Sequence, residues 1–311
     1  MAEIDITEDS VKAFLNGHFG DGVANVALLG AGDWSRAFAF DHDGRTLVAR
    51  FGKYREDFEM DRLAVAFERP GLPIPRVLDI GPAFGGAFAI SERHAGRFLE
   101  SIGVDKSEPL ASGVLRLLDA LREVPVDQNS SARWPGDDSH LSWREWLTTS
   151  IEDDGNERVG GWREELATAP EIEALCTHSV REMLALVADV PAKLHVVHRD
   201  LLNRNVLMDD ECEVTAVYDW GCSVYGDYLY DVAWFTFWAP WMTGLSKLDL
   251  GGRVRSHHQR IGVDVTNFYD RLRCYELHIG VEHLAYQTVM NDSAERSKVA
   301  SRLHDLLSRD S

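Results

Sequence analysis

The chain has 311 residues, and its 32 Lys and Arg against 51 Asp and Glu give a formal net charge of −19. With 45% apolar and 27% charged residues, the composition is that of a folded globular protein. The length predicts one large domain or two lobes. The strong acidity argues against a nucleic-acid partner, which would require a basic surface. It is compatible with a cationic small-molecule substrate.

The cysteine pattern and the hydropathy bear on cellular location. Cys176, Cys212, Cys222 and Cys274 are far apart and form no CxxC pair, which favours a reducing compartment. The N-terminus lacks the basic and apolar segments of a signal peptide, and the apolar stretch at 232–242 is shorter than the roughly 20 residues of a spanning helix. We therefore expect a cytoplasmic protein with no membrane partner.

The first 95 residues are predicted to be mainly β-strands. Residues 36–40 and 46–50 flank a short Asp/Gly turn, which is typical of a hairpin. A helix is expected from Asp57 to Arg69, before Pro70, and further strands are expected at 76–80 and 87–90. The helix would place four apolar residues on one face, namely Met60, Leu63, Ala64 and Phe67.

Beyond Gly96 the pattern becomes helical. A helix starting at Ser107 would carry the apolar stripe Leu110, Val114, Leu117, Leu118 and Leu121. Further helices are predicted around Trp143, at 172–187 and at 268–290. The sequence thus predicts an α+β fold with a β-rich N-terminal lobe, 1–95, and a mainly α-helical C-terminal lobe, 96–311. Ligands commonly bind in the cleft between such lobes.

The segment VVHRDLLNRNVLM, residues 196–208, has the pattern H-x-D-x4-N and is followed by Asp219 at the end of a β-type segment. Phosphoryl transfer needs a carboxylate that accepts the acceptor's proton, and oxygen ligands that hold Mg²⁺ on the phosphates. Asp200 fits the first role, and Asn205 and Asp219 fit the second. His198 is expected to pack and form hydrogen bonds. A loop-capping role for Asp200 and Asn205 is the alternative.

The N-terminal lobe has candidates for nucleotide binding. In GAGDWS, Gly30 and Gly32 precede Ser35 between two strands, where the missing Cβ atoms would let the backbone approach phosphates. A plain hairpin turn is the alternative reading of these glycines.

Arg50, on the following strand, is the candidate phosphate-binding cation of this lobe. Asp61, or failing that Glu59, lies on the next predicted helix and could pair with it. Residues 90–93 would form a connector strand that offers backbone groups to adenine.

With these motifs the chain resembles the kinase-like aminoglycoside phosphotransferases over nearly its whole length. The matching stretches are SRAFAFD (35–41), LPIPRVLDIG (72–81), WREWL (143–147), HRDLLNRNVL (198–207), TAVYDW (215–220), YGDYLYDVA (225–233) and FWAPW (237–241). The resemblance implies a protein-kinase-like two-lobed fold. It also implies ATP-dependent O-phosphorylation of an aminoglycoside or aminocyclitol antibiotic, which confers resistance.

The family pattern also implies roles for individual residues. Asp200 would be the catalytic base, and Asn205 and Asp219 would hold Mg²⁺. Ser91 and Arg93 would contact adenine through their backbones. The chain departs from the pattern at Arg50, where the family has Lys, although an Arg fork also suits phosphate.

Further implied features concern the catalytic loop and the ligands. Asp227 and Asp231 would brace the loop. The expected ligands are ATP or GTP with Mg²⁺ and a cationic antibiotic, and the expected assembly is a monomer. Trp238 and Trp241 could stack on a sugar ring or belong to the core, and the stretches WREWL and FWAPW favour hygromycin B as the acceptor.

Three alternative functions remain open from the sequence. A metabolite kinase of the same superfamily, acting on an amino alcohol or a sugar, would share the ATP-handling motifs. A protein kinase is disfavoured, because YGDYLYD follows Asp219 closely and position 202 is Leu where such a kinase would have Lys. A pseudokinase is disfavoured by the intact Asp200, Asn205 and Asp219, although Arg50 keeps it open.

Overall fold

The computed structural model describes residues 6–132, 140–153 and 158–308. The chain divides into two compact units, Met1–Leu99 with Asn203–Cys222, and Glu100–Leu202 with Ser223–Ser311. Residues 203–222, which the sequence assigned to the C-terminal lobe, pack with the N-terminal unit. The functional division into lobes 1–95 and 96–311 stays a prediction.

The helices and strands follow one another in two stretches of the chain. The first stretch contains α1 (Glu8–Phe19), β1 (Ala24–Ala31), β2 (Ser35–His42), β3 (Arg45–Gly52), α2 (Arg55–Ala64), β4 (Val77–Ala83), β5 (Gly86–Glu92) and β6 (Arg97–Phe98). The second contains α3 (Ser107–Arg122), α4 (Trp143–Thr149), α5 (Trp162–Leu166), α6 (Pro170–Leu186), β7 (His195–Val197), β8 (Val206–Met208), β9 (Val214–Val217), β10 (Val224–Gly226), α7 (Leu229–Trp238), α8 (Leu250–Arg260), α9 (Phe268–Val289) and α10 (Ser293–Ser308).

The first unit is built on a five-stranded antiparallel sheet in the order β1-β2-β3-β5-β4. The expected hairpin is β2–β3, which turns at Gly44 with φ +71° and pairs Phe38 with Ala49. Helix α1, which the sequence analysis did not predict, buries Val11 and Leu15 against this sheet. The unit also contains the small sheet β6-β8-β9.

Helix α2 differs from its prediction in both length and orientation. It ends at Ala64, and Val65–Phe67 form one 3₁₀ turn. The buried positions are Phe58, Asp61 and Ala64, whereas Leu63, expected on the apolar face, is 45% exposed. Of the predicted apolar face, Ala64 is buried and Met60 and Phe67 are half-buried, so the prediction was wrong at Leu63, because the helix turns the carboxylate of Asp61 inward instead.

The second unit is mainly helical and centres on α9, which packs against α6, α7 and α10. The predicted stripe of α3 is confirmed, since Leu110, Val114, Leu117, Leu118 and Leu121 are all buried. Within the described residues, no helix is long and apolar enough to cross a membrane.

Candidate active site

Arg50 and Asp61 form an ion pair in the first unit, with side chains 15% and 8% exposed. Arg50 lies on β3 between β2 and β5, and Asp61 faces it from α2. Glu59, the other candidate partner, instead pairs with Arg55 at 2.8 Å and with Arg62. The acid that neutralises the candidate phosphate-binding cation is therefore Asp61.

The glycine segment between β1 and β2 forms a closed turn with ordinary contacts. The amide of Gly32 donates to the carbonyl of Ser35 at 2.9 Å, which closes the turn. A Cβ atom at Gly30 would lie 3.6 Å from Arg204 Nη1, and one at Gly32 would lie 3.9 Å from Ser35 O. These are ordinary contacts, so neither the backbone conformation nor the packing of the protein itself requires glycine at these positions.

The predicted adenine-contacting residues lie at the end of β5. Ser91 pairs with Val48 on β3 and with Val77 on β4, so it sits inside the five-stranded sheet. Arg93 follows the strand and is exposed. Their contact with adenine stays a prediction.

Asn205 and Asp219 lie at the same end of the β8–β9 hairpin. Val206, next to Asn205, pairs with Val217, and the amide of Tyr218 donates to the carbonyl of Asn205 at 2.8 Å. Asp219, the next residue, has a left-handed backbone with φ +60°. The first unit therefore brings the two predicted metal ligands next to each other at the end of this hairpin.

This pair suits Mg²⁺ better than a transition metal. Within residues 6–132, 140–153 and 158–308, no group of three or more His, Cys, Asp or Glu could hold a metal ion. Mg²⁺ is commonly bound through one or two carboxylates together with substrate phosphates, so it does not need a complete protein cage. One amide and one carboxylate therefore fit a metal that arrives with a nucleotide.

The catalytic-loop candidates His198 and Asp200 lie in the second unit, directly after β7. The carboxylate of Asp231 accepts the main-chain amides of His198 and Arg199, each at 2.9 Å. The amide of Asp200 donates to Nδ1 of His198 at 3.2 Å, which uses the buried imidazole as a local support. The side chains of His198 and Asp231 therefore shape the backbone that carries Asp200.

Two buried acids of the predicted bracing element have different environments. Asp227 accepts two bonds from Arg271 at 2.9 and 2.7 Å, and one from the Tyr275 hydroxyl at 2.7 Å. Asp231 accepts two main-chain amides, and burial raises the pKa of its carboxyl to about 7. Asp227 is thus a paired charge, whereas Asp231 titrates near neutrality.

Trp238 and Trp241 belong to an aromatic cluster at the end of α7. Their rings lie 5.7 Å apart, and Trp238 also contacts His283 at 4.9 Å between ring centroids. Trp241 is 42% exposed, so its ring is available to a ligand. Their role in substrate binding stays a prediction.

The environment of Arg199 was not predicted from the sequence. Its guanidinium binds Glu282, which is 83 residues away, and stacks on Trp146 at 4.4 Å. No local spacing links these residues, so only the fold could reveal the contact. The only hint was Arg199 itself, a long cation inside the H-x-D motif.

Comparisons with known proteins decide the family. A profile described as the phosphotransferase enzyme family matches residues 27–269. The chain belongs to this family. It is also 30% identical to a curated protein, the hygromycin-B 4-O-kinase of Escherichia coli, over 99% of this chain and 87% of that one.

Solved phosphotransferase structures confirm the fold. The crystal structure of aminoglycoside phosphotransferase APH(4)-Ia is 28% identical, has a TM-score of 0.80, and is matched over 97% of this chain and 98% of that chain. A thermostable mutant of it, solved as a ternary complex with ADP and hygromycin B, has the same TM-score and covers 96% and 98%. The GDP complex of aminoglycoside 2′-phosphotransferase-IIIa, at 16% identity and TM-score 0.65, covers 98% of this chain and 100% of that chain and shares the fold alone. The predicted family and kinase-like fold are therefore confirmed.

Proposed function

We propose that the protein is an ATP-dependent kinase that phosphorylates a hydroxyl group of an aminoglycoside, with hygromycin B as its substrate, and thereby confers resistance. The observation that carries this proposal is the near-full-length match to a hygromycin-B 4-O-kinase. Structures of the related APH(4)-Ia with hygromycin B and either ADP or AMP-PNP support the same acceptor and nucleotide.

The proposed residue roles follow from what phosphoryl transfer requires. Asp200 accepts the proton of the attacking hydroxyl and orients its oxygen. Asn205 and Asp219 hold Mg²⁺, which supplies positive charge to the phosphoryl oxygens when it is bound. Arg50, fixed by Asp61, adds a planar fork that suits phosphate.

The nucleotide would bind over the glycine segment of the first unit. The missing Cβ atoms of Gly30 and Gly32 would let phosphate approach the backbone closely. Ser35 begins the next strand, and the backbones of Ser91 and Arg93 would contact adenine. ATP is the proposed nucleotide, and GTP is to be tested beside it.

The acceptor would be recognised by charge and stacking. Aminoglycosides carry several ammonium groups, and a chain with a net charge of −19 attracts such cations and speeds their encounter. Charge-assisted hydrogen bonds to carboxylates would then hold the drug. Trp238 and Trp241 would offer aromatic faces to its rings. We further propose that the enzyme acts in the cytoplasm as a monomer.

A coupled assay of ADP release tests the function. The purified protein is incubated with Mg²⁺ and ATP or GTP, together with each member of a panel of hygromycin B, other aminoglycosides, choline-like amino alcohols, simple sugars and a peptide. ADP release that depends on hygromycin B supports the proposal. Release only with an amino alcohol or sugar identifies a metabolite kinase, and release only with the peptide a protein kinase. Nucleotide binding without turnover identifies a pseudokinase.

A further inference from the structure

Arg199 occupies a backbone conformation that favours glycine. Its φ is +69°, in the left-handed region where a Cβ atom meets the neighbouring carbonyl. The residue lies between His198 and Asp200 in the H-x-D motif. A long side chain at such a position is disfavoured locally, so other contacts must hold the backbone there.

The contacts of the guanidinium provide that support. Arg199 Nη2 donates to both carboxylate oxygens of Glu282, at 2.7 and 2.8 Å. The guanidinium carbon lies 4.4 Å from the ring centroid of Trp146 and 5.9 Å from that of Tyr230. The two charged side chains are only 17% and 20% exposed, so water screens the pair weakly.

Glu282 is itself held by a chain of hydrogen bonds. The Tyr230 hydroxyl donates to Glu282 Oε2 at 3.0 Å and lies 2.9 Å from His278 Nδ1. The other imidazole nitrogen, Nε2, lies 2.9 Å from the Ser150 hydroxyl. One tautomer of His278 satisfies all of these hydrogen bonds, with Nδ1–H donating to the Tyr230 hydroxyl and Nε2 accepting from the Ser150 hydroxyl.

The charges and the burial of these side chains keep the hydrogen-bond network in one protonation state at neutral pH. Burial lowers the pKa of His278 to about 4, so the imidazole is neutral. Burial alone would raise the pKa of Glu282, but the charge of Arg199 holds it below its ordinary value. The carboxylate is therefore ionised, and it remains a fixed acceptor for Arg199.

The backbone of Arg199 is thus held from two directions. Asp231 accepts its main-chain amide, and Glu282 binds its side chain. We propose that Arg199 and Glu282 are positioning residues that fix the main chain before Asp200, so that the Asp200 carboxylate meets the acceptor hydroxyl. This inference rests on the proposed function, in which Asp200 is the catalytic base.

The substitution R199G gives the sharpest test, because it suits the left-handed backbone while removing the side chain. If Arg199 only filled space, the variant would keep its activity. We expect kcat for hygromycin B to fall by about 10- to 100-fold, because a small misplacement of a reacting group lowers the rate by about this much. The KM for ATP is expected to stay unchanged. E282Q is likewise expected to lower kcat without changing the KM for ATP. R199K, which keeps a positive charge, is expected to have a kcat between those of R199G and the wild-type protein.

The double variant R199G/E282Q and a surface control complete the kinetic test. If both residues act through one ion pair, the double variant loses no more kcat than R199G alone. R181Q, which breaks the exposed contact between Arg181 and Glu182 on α6, is expected to leave kcat unchanged. Wild-type kcat in R199G, or a multiplicative loss in the double variant, would overturn the inference.

Hydrogen exchange gives a readout that does not depend on the acceptor. The amides of residues 198–202 are expected to exchange faster in E282Q than in the wild-type protein, while those of α3 stay unchanged. Equal exchange in the two proteins would count against the anchoring role, whatever the substrate. A wild-type protein that releases no ADP with any aminoglycoside would instead refute the proposed function, so the two failures are distinguishable.

Discussion

The carboxylate of Asp61 binds Arg50 through one oxygen and accepts the main-chain amide of Trp220 through the other, at 2.8 Å. Trp220 directly follows Asp219 in the chain. One buried acid therefore connects the candidate phosphate-binding cation to the segment that carries a candidate metal ligand. Arg50 stands where the family pattern has Lys, and its guanidinium has a defined partner in Asp61.

Removal of the Asp61 charge is expected to destabilise the protein. In D61N the guanidinium of Arg50 stays largely buried without its counter-charge, and breaking such a pair costs about 3 kcal/mol. Urea unfolding monitored by circular dichroism measures the loss. E59Q is the matched control on the same helix, because Glu59 pairs with the exposed side chains of Arg55 and Arg62. An equal or larger loss in E59Q would contradict the assignment of the pair.

The buried network around Asp227 is expected to be a major stabilising feature of the second unit. Its carboxylate is fully buried and binds Arg271 and Tyr275, so D227N should lower the unfolding free energy by about 3–5 kcal/mol. E108Q, which breaks the exposed contact with Arg253, serves as the control and should change little. Thermal unfolding of both variants is the measurement. Similar melting temperatures for D227N and the wild-type protein would refute the expectation.

Asp231 is expected to make stability depend on pH. Because burial raises its folded-state pKa to about 7 from the ordinary value of 3.8, its stabilising contribution is complete below pH 3.8. That contribution is lost as the pH rises toward 7, at no more than about 1.4 kcal/mol per pH unit. The stability advantage of the wild-type protein over D231N should therefore shrink between pH 4 and pH 7. Urea unfolding of the two proteins at several pH values tests this, and an advantage that stays constant or grows with pH would show that the folded-state pKa of Asp231 is not raised.

Replacement of Asp219, a proposed metal ligand, is expected to remove metal-dependent nucleotide binding. D219A should abolish the increase in ATP affinity that Mg²⁺ produces, because the remaining amide of Asn205 cannot replace a carboxylate as a ligand. Isothermal titration with ATP, with and without Mg²⁺, gives the two affinities for each protein. D210A, which changes an exposed acid on the same hairpin, is the control. Unchanged Mg²⁺ dependence in D219A would exclude this residue from the metal site.

Local patterns predicted those elements whose burial follows from apolar spacing. The β2–β3 hairpin and the stripe of α3 are examples, since both depend on residues close together in the chain. Helix α1 was missed because only Val11 and Leu15 are buried in a largely polar segment, although the capping box of Thr7 and Ser10 was a usable signal.

The site was predictable to the extent that its chemistry lies in short motifs. The H-x-D-x4-N segment and Asp219 indicated phosphoryl transfer, and the family comparison agrees with that activity. The choice between Asp61 and Glu59 was not predictable, because it depends on how α2 rotates against the sheet. The contact between Arg199 and Glu282 joins distant segments, so only the folded chain shows it.

Product analysis of the wild-type protein beside D200N tests the central claim most directly. Hygromycin B incubated with Mg²⁺ and ATP should gain the mass of one phosphoryl group with the wild-type protein. D200N should bind ATP with unchanged affinity. Its rate of product formation should be lower by about 10²–10⁴-fold or more, since general base catalysis contributes about that factor. Mass spectrometry of timed samples gives both rates. Unmodified hygromycin B after incubation with the wild-type protein, or an equal rate of product formation with D200N, would contradict the account.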